Sequence, residues 1–174
     1  MFKFEKLVFG DLGWGDEFLF AALMTITVSI LSMGLGLCLA IVTVWAKLIT
    51  NKITRTIANL YTTVVRGVPE LLVIYLIFFG GNSVVMSIAK LFGYNGYIEL
   101  NALTIGTIAI AFISATYSSE VLRAAYLAVN KGQIEAAKAL GLNKFQIFFR
   151  VMGPQIMRHA LPGIGNVWQI TLKD

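Results

Sequence analysis

The chain has very few of the residues that metal sites and nucleophilic active sites use. Its 174 residues include one cysteine, Cys38, and one histidine, His159. A single cysteine excludes an internal disulfide, and no cluster of Cys and His has the spacing of metal ligands. The sequence has no G-x-x-x-x-G-K-S/T phosphate-binding loop, so we do not expect it to hydrolyse ATP itself. These absences predict no catalytic residue, no bound metal and no cofactor.

Charged residues are also scarce. They make up 13% of the chain, against 57% hydrophobic residues, and the mean hydropathy is +0.78. A soluble domain has roughly 25% charged residues. The apolar residues lie in long unbroken runs, which favours an integral membrane protein over a soluble all-helical one. The net charge of +5 does not indicate a nucleic-acid partner, because the basic residues are dispersed.

Three apolar runs are long enough to cross a bilayer, which takes roughly 20 helical residues. The first covers residues 18–46 without a charge, and the third covers residues 102–119. The second is ambiguous: a span over 60–79 would place charges inside the membrane, whereas a span over 71–89 would place them at its entrance. The sequence "GGN" at residues 80–82 favours 60–79. A fourth span is expected to start after residue 160.

Small residues repeat every four positions on two of these runs. They are Ser32, Gly36 and Ala40 on the first, and Thr107, Ala111 and Ala115 on the third. Such a stripe lies on one helix face and lets another helix approach closely. The approaching helix could belong to another chain or to this one, and the sequence leaves both alternatives open.

The loop charges predict the orientation. Residues 1–17 hold more acids than bases and do not resemble a cleaved signal peptide, so the first run is expected to be retained. Basic residues dominate between the first two runs and again after the third. By the positive-inside rule, residues 1–17 form an extracytoplasmic tail, and residues of about 120–158 form a cytoplasmic loop.

The cytoplasmic loop contains a short polar stretch, "GQIEAAKALG", at residues 132–141. Its alanines and leucine favour a helix, and Gly141 is well placed as a left-handed C-cap. Such a helix could dock into a groove on a cytoplasmic partner or lie on the lipid headgroups. From these residues alone, the second alternative is the stronger.

A family resemblance changes this balance. Glu135-Ala136-Ala137, three residues, Gly141, nine residues and then "VMGP" ending at Pro154 resemble the EAA signature of permease subunits of bacterial ATP-binding-cassette importers. Val151 and Gly153 depart from the usual Ile and Leu of that signature. The segments "RGVPELL", "SSEVLRAAYLAVNKGQIEAAKALG" and "PQIMRHALPGIGNVWQITLKD" resemble the polar amino acid subgroup, most closely its histidine, arginine and opine branch.

The resemblance implies an all-α integral membrane protein with the type I importer transmembrane domain over residues 18–174. It implies that Glu135, Ala136, Ala137 and Gly141 belong to a coupling helix that docks on a separate dimeric ATPase. The other implied partners are a sister permease subunit in a hetero- or homodimer, a periplasmic binding protein and membrane lipid, in the bacterial inner membrane. Family members usually continue beyond "QITLKD", so the chain is expected to be truncated before its last span or spans.

Charged residues near the membrane supply the candidate substrate path. Arg66 and Glu70 are four apart and could share a helix face, while Pro69 could break the helix where a ligand binds. Glu70 could meet the cationic side chain of an arginine-like solute, or it could pair with Arg66, or both charges could lie near the cytoplasmic interface, where neither is costly. Glu120 and Arg123 are expected to brace the structure, as is Pro154. The alternatives are an importer of acidic or neutral amino acids and, in another class, a membrane-embedded enzyme.

Overall fold

The computed structural model describes residues 13–94, 96 and 101–173, and these fold into helices joined by short turns. The helix bounds are α1, Gly15–Leu48; α2, Lys52–Gly67; α3, Glu70–Leu91; α4, Ala102–Ala128; α5, Lys131–Ala139; α6, Lys144–Gln146; and α7, Gly153–Thr171. A single π-helical turn, Ile147–Met152, connects α6 to α7. This architecture agrees with the expected all-α class.

Asparagine side chains mark the start of four helices. The Asn side chain preceding each helix accepts a hydrogen bond from a backbone N–H of the first turn, which satisfies a donor that has no partner within the helix. The four are Asn51 before α2, Asn101 before α4, Asn130 before α5 and Asn143 before α6. These caps define where the polar connections end and the helices begin.

Three of the helices are long and apolar enough to cross a membrane, namely α1, α3 and α4. With 34 residues, α1 is about 51 Å long at the α-helical rise of ~1.5 Å per residue. The apolar runs 18–46 and 102–119 lie within α1 and α4, and α4 continues to Ala128. Beyond the third run, the helix therefore extends nine residues into the segment that was expected to be loop.

The second run differs from the expectation of a single span over residues 60–79. The chain forms two helices there, and the helix that is apolar enough to span is Glu70–Leu91, close to the alternative of 71–89. Gly80, Gly81 and Asn82 do not end it, because each lowers helix stability by only about 1 kcal/mol or less relative to alanine. The break in the helix is instead at Pro69, between the end of α2 and the start of α3.

The stripes of small residues pack α1 directly against α4 within this chain. Ser32 and Ala40 are fully buried, and the Ser32 hydroxyl donates to the Thr107 carbonyl at 3.1 Å. A Cβ atom on Gly36 would lie 2.2 Å from the Ser114 hydroxyl oxygen and 3.1 Å from the Ala111 carbonyl oxygen. Of the two alternatives, internal packing is therefore the one seen.

Helix α4 is the centre of the bundle, since it contacts α1, α2, α3 and α7. Val65 of α2, Val73 of α3 and Ile113 of α4 form a buried apolar cluster. The indole N–H of Trp168 on α7 donates to the Ser29 hydroxyl on α1 at 2.9 Å. These contacts hold α2, α3 and α7 in fixed positions around α4, and so they position the charged residues described next.

Candidate functional site

The break between α2 and α3 separates the two charged residues that were expected to share a helix face. Proline has no N–H to donate, and its ring disfavours helical backbone at the residue before it. Accordingly α2 ends at Gly67, and Val68 is extended at φ −106° and ψ 144°. The Pro69 carbonyl then accepts from the N–H of Leu72 at 2.9 Å as α3 begins. The expectation that Arg66 and Glu70 lie on one helix face is therefore wrong.

A tyrosine on α4 lies between these two charges. The Tyr117 hydroxyl donates to Glu70 Oε1 at 2.6 Å. The guanidinium carbon of Arg66 is 5.3 Å from the centroid of the Tyr117 ring, which is within cation–π range. Arg66 and Glu70 form no ion pair with each other in the described part of the chain. Tyr117 therefore contacts both groups, and each charge keeps capacity to bind something else.

Two cavities open on either side of this arrangement. One has a volume of about 470 Å³ and the other of about 430 Å³. The first is lined by Thr62, Thr63, Arg66, Gly67, Tyr117 and Glu120. The second is lined by Pro69, Glu70, Leu71, Ile74 and Lys173. Each volume falls within the roughly 300–1,000 Å³ of pockets that hold small organic ligands.

Glu120 connects the first cavity to a buried lysine. Lys47, on α1, forms an ion pair with Glu120 of α4, and its side chain is only 3% exposed. The Lys47 ammonium also donates to the Thr62 hydroxyl on α2 at 2.7 Å. On the outer side, Arg123 donates to the other Glu120 oxygen at 3.1 Å. This cluster ties three helices together at one point.

The short helix α5 has well-defined ends. The Asn130 side chain caps its start, accepting from the Gly132 N–H at 2.8 Å. At its end, Gly141 adopts φ +76°, and its N–H donates to the Lys138 carbonyl. The Leu142 N–H donates to the Ala137 carbonyl, which completes a Schellman motif. The predicted left-handed cap at Gly141 is confirmed.

Substitution at Gly141 tests whether this end of α5 depends on the left-handed backbone. We expect Gly141→Val to destabilise the turn by about 1–2 kcal/mol, because a side chain at positive φ clashes with the following carbonyl. Gly141→Asn should cost much less, since asparagine tolerates this conformation. Limited proteolysis of the two variants across residues 139–143 measures the difference. Equal cleavage of both would contradict the argument.

The residues of α5 face two directions. Glu135 and Ala136 are exposed, and Leu140 is 81% exposed, which is unusual for a leucine. Ala137 is 5% exposed, because α5 packs on the π-helical turn that precedes α7. Of the four residues expected to couple to a partner, Glu135, Ala136 and Gly141 are therefore accessible, and Ala137 packs within the chain.

The segment after α5 links it to the rest of the bundle. Asn143 and Gln146 form a reciprocal capping box, and Ile147 is buried. A Cβ atom on Gly153 would lie 3.1 Å from the Phe148 carbonyl oxygen, so this residue permits close backbone approach. Pro154 lies in the first turn of α7, where its missing N–H costs little. The Gln155 side chain then donates to the Gln133 side chain on α5 at 2.6 Å.

Long apolar helices, adjoining charged cavities and a capped polar helix beyond the bundle together define a membrane transport component. Residues 32–174 match the model of the family described as "Binding-protein-dependent transport system inner membrane component". The chain belongs to this family.

Curated relatives agree with the family match. The chain is 50% identical to a nopaline transport system permease protein of Agrobacterium fabrum over 97% of its own length and 72% of the relative's. It is 43% identical to an octopine transport system permease protein of Rhizobium meliloti, over 98% of its length and 72% of the relative's. It is 39% identical to a histidine/lysine/arginine/ornithine transport system permease protein of Escherichia coli, over 93% of its length and 71% of the relative's.

A solved structure has the same fold. The crystal structure of an amino acid ABC transporter with histidines superposes with a TM-score of 0.69 at 30% sequence identity. The match covers 87% of this chain and 65% of the other, so the chain spans just under two thirds of the solved subunit. The chain is thus a multi-pass inner-membrane permease subunit and a transport component, and in this class the ATPase is a separate subunit.

Proposed function

We propose that the chain lines the path of an ATP-driven importer for a basic amino acid or an opine. The observation that carries this proposal is the arrangement of Arg66, Tyr117 and Glu70. Two opposite charges flank one aromatic ring, and each lines a cavity of its own. Glu70 begins the apolar helix α3 and Arg66 precedes it, so both charges lie at the entrance of that span, where they can face a polar solute path.

The arrangement suits a solute that carries both signs of charge. Glu70 offers its second carboxylate oxygen to a cationic group, while the Arg66 guanidinium can bind a carboxylate in a bidentate manner. The relatives named for nopaline, octopine and basic amino acids are consistent with this chemistry. Pro69 contributes by breaking the helix, which turns the start of α3 and its Glu70 towards the cavity.

We further propose that α5 is the coupling helix. Its exposed residues Glu135 and Leu140, together with Gly141, offer one charge, one apolar contact and one close backbone approach to the ATPase. Displacement of α5 would reach the bundle through the Gln133–Gln155 hydrogen bond and the π-helical turn. Glu120, Arg123 and Pro154 brace this region in the proposal. Alternating access then proceeds by rigid-body movement of the helices.

The distribution of basic residues supports a proposed orientation. With α5 and its basic surroundings in the cytoplasm, the N-terminus lies outside, and α1 crosses the membrane from the outside to the cytoplasm. The permease then pairs with a sister subunit or a second copy, and it receives solute from a periplasmic binding protein. The exposed apolar stripe of α2, which comprises Ile53, Ile57, Leu60 and Val64, is a surface that such a second subunit could cover.

One observation favours a second candidate, an importer of acidic or neutral amino acids. Lys173 lines the same cavity as Glu70. A lysine there could bind a solute carboxylate and offset the attraction of Glu70 for a cation. A membrane-embedded enzyme has no comparable support from the described residues, among which no group of three or more His, Cys, Asp and Glu could hold a metal ion.

Uptake into proteoliposomes tests the solute class. The permease would be reconstituted with its ATPase, sister subunit and binding protein, and offered labelled arginine, octopine, glutamate or glutamine. We expect ATP-dependent uptake of arginine or octopine, and we expect Glu70→Gln to reduce it by about 10-fold or more, as for loss of one charge-assisted contact. Glu17→Gln, at the exposed start of α1, serves as the matched control.

A second variant separates the role of Tyr117 from that of Glu70. Tyr117→Phe keeps the ring beside Arg66 but removes the hydroxyl that donates to Glu70. We expect its uptake to fall by several-fold, less than for Glu70→Gln. If glutamate or glutamine is the imported solute, the acidic or neutral reading replaces ours. Normal arginine uptake by Glu70→Gln would remove Glu70 from the path.

A further inference from the structure

An apolar groove lies beside α5, away from the charged cavities. Its volume is about 620 Å³, and it is open along one side. Four parts of the chain form its walls: α1, α4, α5 and the segment from α6 into α7. The lining residues that α1 contributes follow helical spacing, and they are Ile41, Val44, Trp45 and Leu48. The opposite walls contribute Leu122, Tyr126, Ile134, Ile147, Phe148, Met152 and Ile156.

Two lysines give this groove a charge. Lys138 of α5 and Lys144 of α6 are the charged residues in its lining, and both are exposed. Among the described residues, no carboxylate lines it. Lys138 is four residues after Ile134, so the two share one face of α5, on which Ile134 is half-buried and Lys138 is exposed. We call this feature the lysine-rimmed groove.

We propose that the lysine-rimmed groove binds one anionic phospholipid, of the phosphatidylglycerol type, from the cytoplasmic leaflet. An acyl chain would occupy the groove and pack against its apolar walls, and the headgroup phosphate would lie between Lys138 and Lys144. Basic pockets between transmembrane helices on the cytoplasmic side recognise anionic headgroups in this way. The groove lies where the apolar helices meet the basic polar segment, which is the depth of a headgroup.

The charge distinguishes a lipid from a protein occupant. A helix of another subunit could also cover the apolar walls, but only one with acidic residues at the correct positions would complement the two lysines. An anionic phospholipid supplies both the chain and the charge. Once bound, it would join α1 to α5 and so stiffen the base of the proposed coupling helix. This inference rests on the proposed orientation and on the proposed role of α5, but not on which solute is imported.

Quenching of Trp45 by brominated lipid tests the proposal, because Trp45 lines the groove and is 67% exposed. The 174-residue chain and its Trp45→Phe variant would be placed in nanodiscs of phosphatidylcholine. Brominated phosphatidylglycerol or brominated phosphatidylcholine would be added at equal mole fraction. The Trp45 signal is the difference between the two proteins. We expect the anionic lipid to compete for this position roughly 10-fold better than the zwitterionic lipid.

Charge variants then test whether Lys138 and Lys144 cause the preference for the anionic lipid. Lys138→Gln with Lys144→Gln should remove it while leaving quenching by phosphatidylcholine unchanged. Lys52→Gln with Lys131→Gln removes the same charge from exposed residues at helix starts outside the groove, and it should keep the preference. Equal quenching by both lipids in the unmodified chain would overturn the proposal. So would absent quenching of Trp45 by either lipid, or a control pair that abolishes the preference equally.

Discussion

Replacing Gly36 with leucine will force α1 away from α4 and destabilise the bundle. Even the first carbon of the new side chain would lie 2.2 Å from the Ser114 hydroxyl oxygen and 3.1 Å from the Ala111 carbonyl oxygen. The serine can rotate, but the carbonyl belongs to the backbone of the central helix and cannot move alone. Overpacking of a tight contact typically costs about 1–3 kcal/mol. In a chain of this size, we expect the apparent Tm in detergent to fall by about 5–10 °C.

The same helix supplies the matched control. A Cβ atom on Gly34 would meet nothing within 4 Å, so Gly34→Leu adds the same atoms to the outer face of α1. We expect this variant to melt within a degree or two of the unmodified chain. If both variants melt alike, the contact between α1 and α4 is not the tight one described. The measurement is thermal unfolding in detergent, with size-exclusion chromatography to follow loss of the folded form.

This contact shows how much of the fold the sequence determines. The four-residue spacing of Ser32, Gly36 and Ala40 predicted a close helix approach, and the structure supplies it. The spacing did not identify the approaching helix, because a small-residue face fits any helix that has one. Only the folded structure shows that the face of α4 with Thr107 and Ala111 packs against this face of α1. Periodicity within one segment therefore predicts which face packs, and the topology decides what packs there.

The second apolar run shows the opposite case. Residues 80–82 looked like an end of the span, whereas Pro69 is the actual break. Glycine and asparagine act on the helix through weak preferences, but proline removes a donor and adds a steric clash. The stronger local effect decided the boundary. That boundary in turn places Arg66 and Glu70 on different helices, which four-residue spacing alone could not reveal.

The candidate site also contains residues that sequence reasoning did not find. Tyr117 bonds Glu70 across 47 residues, and Lys47 pairs with Glu120 across 73. Neither separation leaves a periodic trace in the sequence. In the sequence, Lys47 directly follows the first apolar run and so belongs to a basic loop, yet it lies at the end of α1 and is buried. The only signal in the sequence is the position of Tyr117, three residues before Glu120, and this signal is weak.

The second large effect is expected at this buried pair. Glu120→Gln would leave the Lys47 ammonium buried with neutral acceptors only, namely the Thr62 hydroxyl and the amide oxygen of the new side chain. Removing one partner of a buried ion pair typically costs about 3–5 kcal/mol, because the remaining charge loses its counter-ion but cannot regain water. Glu120 is 28% exposed, which gives partial access to solvent, so we expect a value near the lower end. Unfolding in mixed detergent micelles measures it.

Two further variants decide whether the cost comes from the stranded lysine. Lys47→Met with Glu120→Gln removes both charges, so it should be more stable than Glu120→Gln alone by about 1 kcal/mol or more. Arg123→Gln removes only the exposed partner of the same carboxylate and should cost less than about 1 kcal/mol. If the double variant is the least stable of the three, the pair contributes net stability and Lys47 is not stranded. If Arg123→Gln costs as much as Glu120→Gln, the outer contact is what holds the helices. The expected order of stabilities would show that Lys47 holds the junction of α1, α2 and α4. A small displacement of any one of these helices would then alter the contacts of the other two.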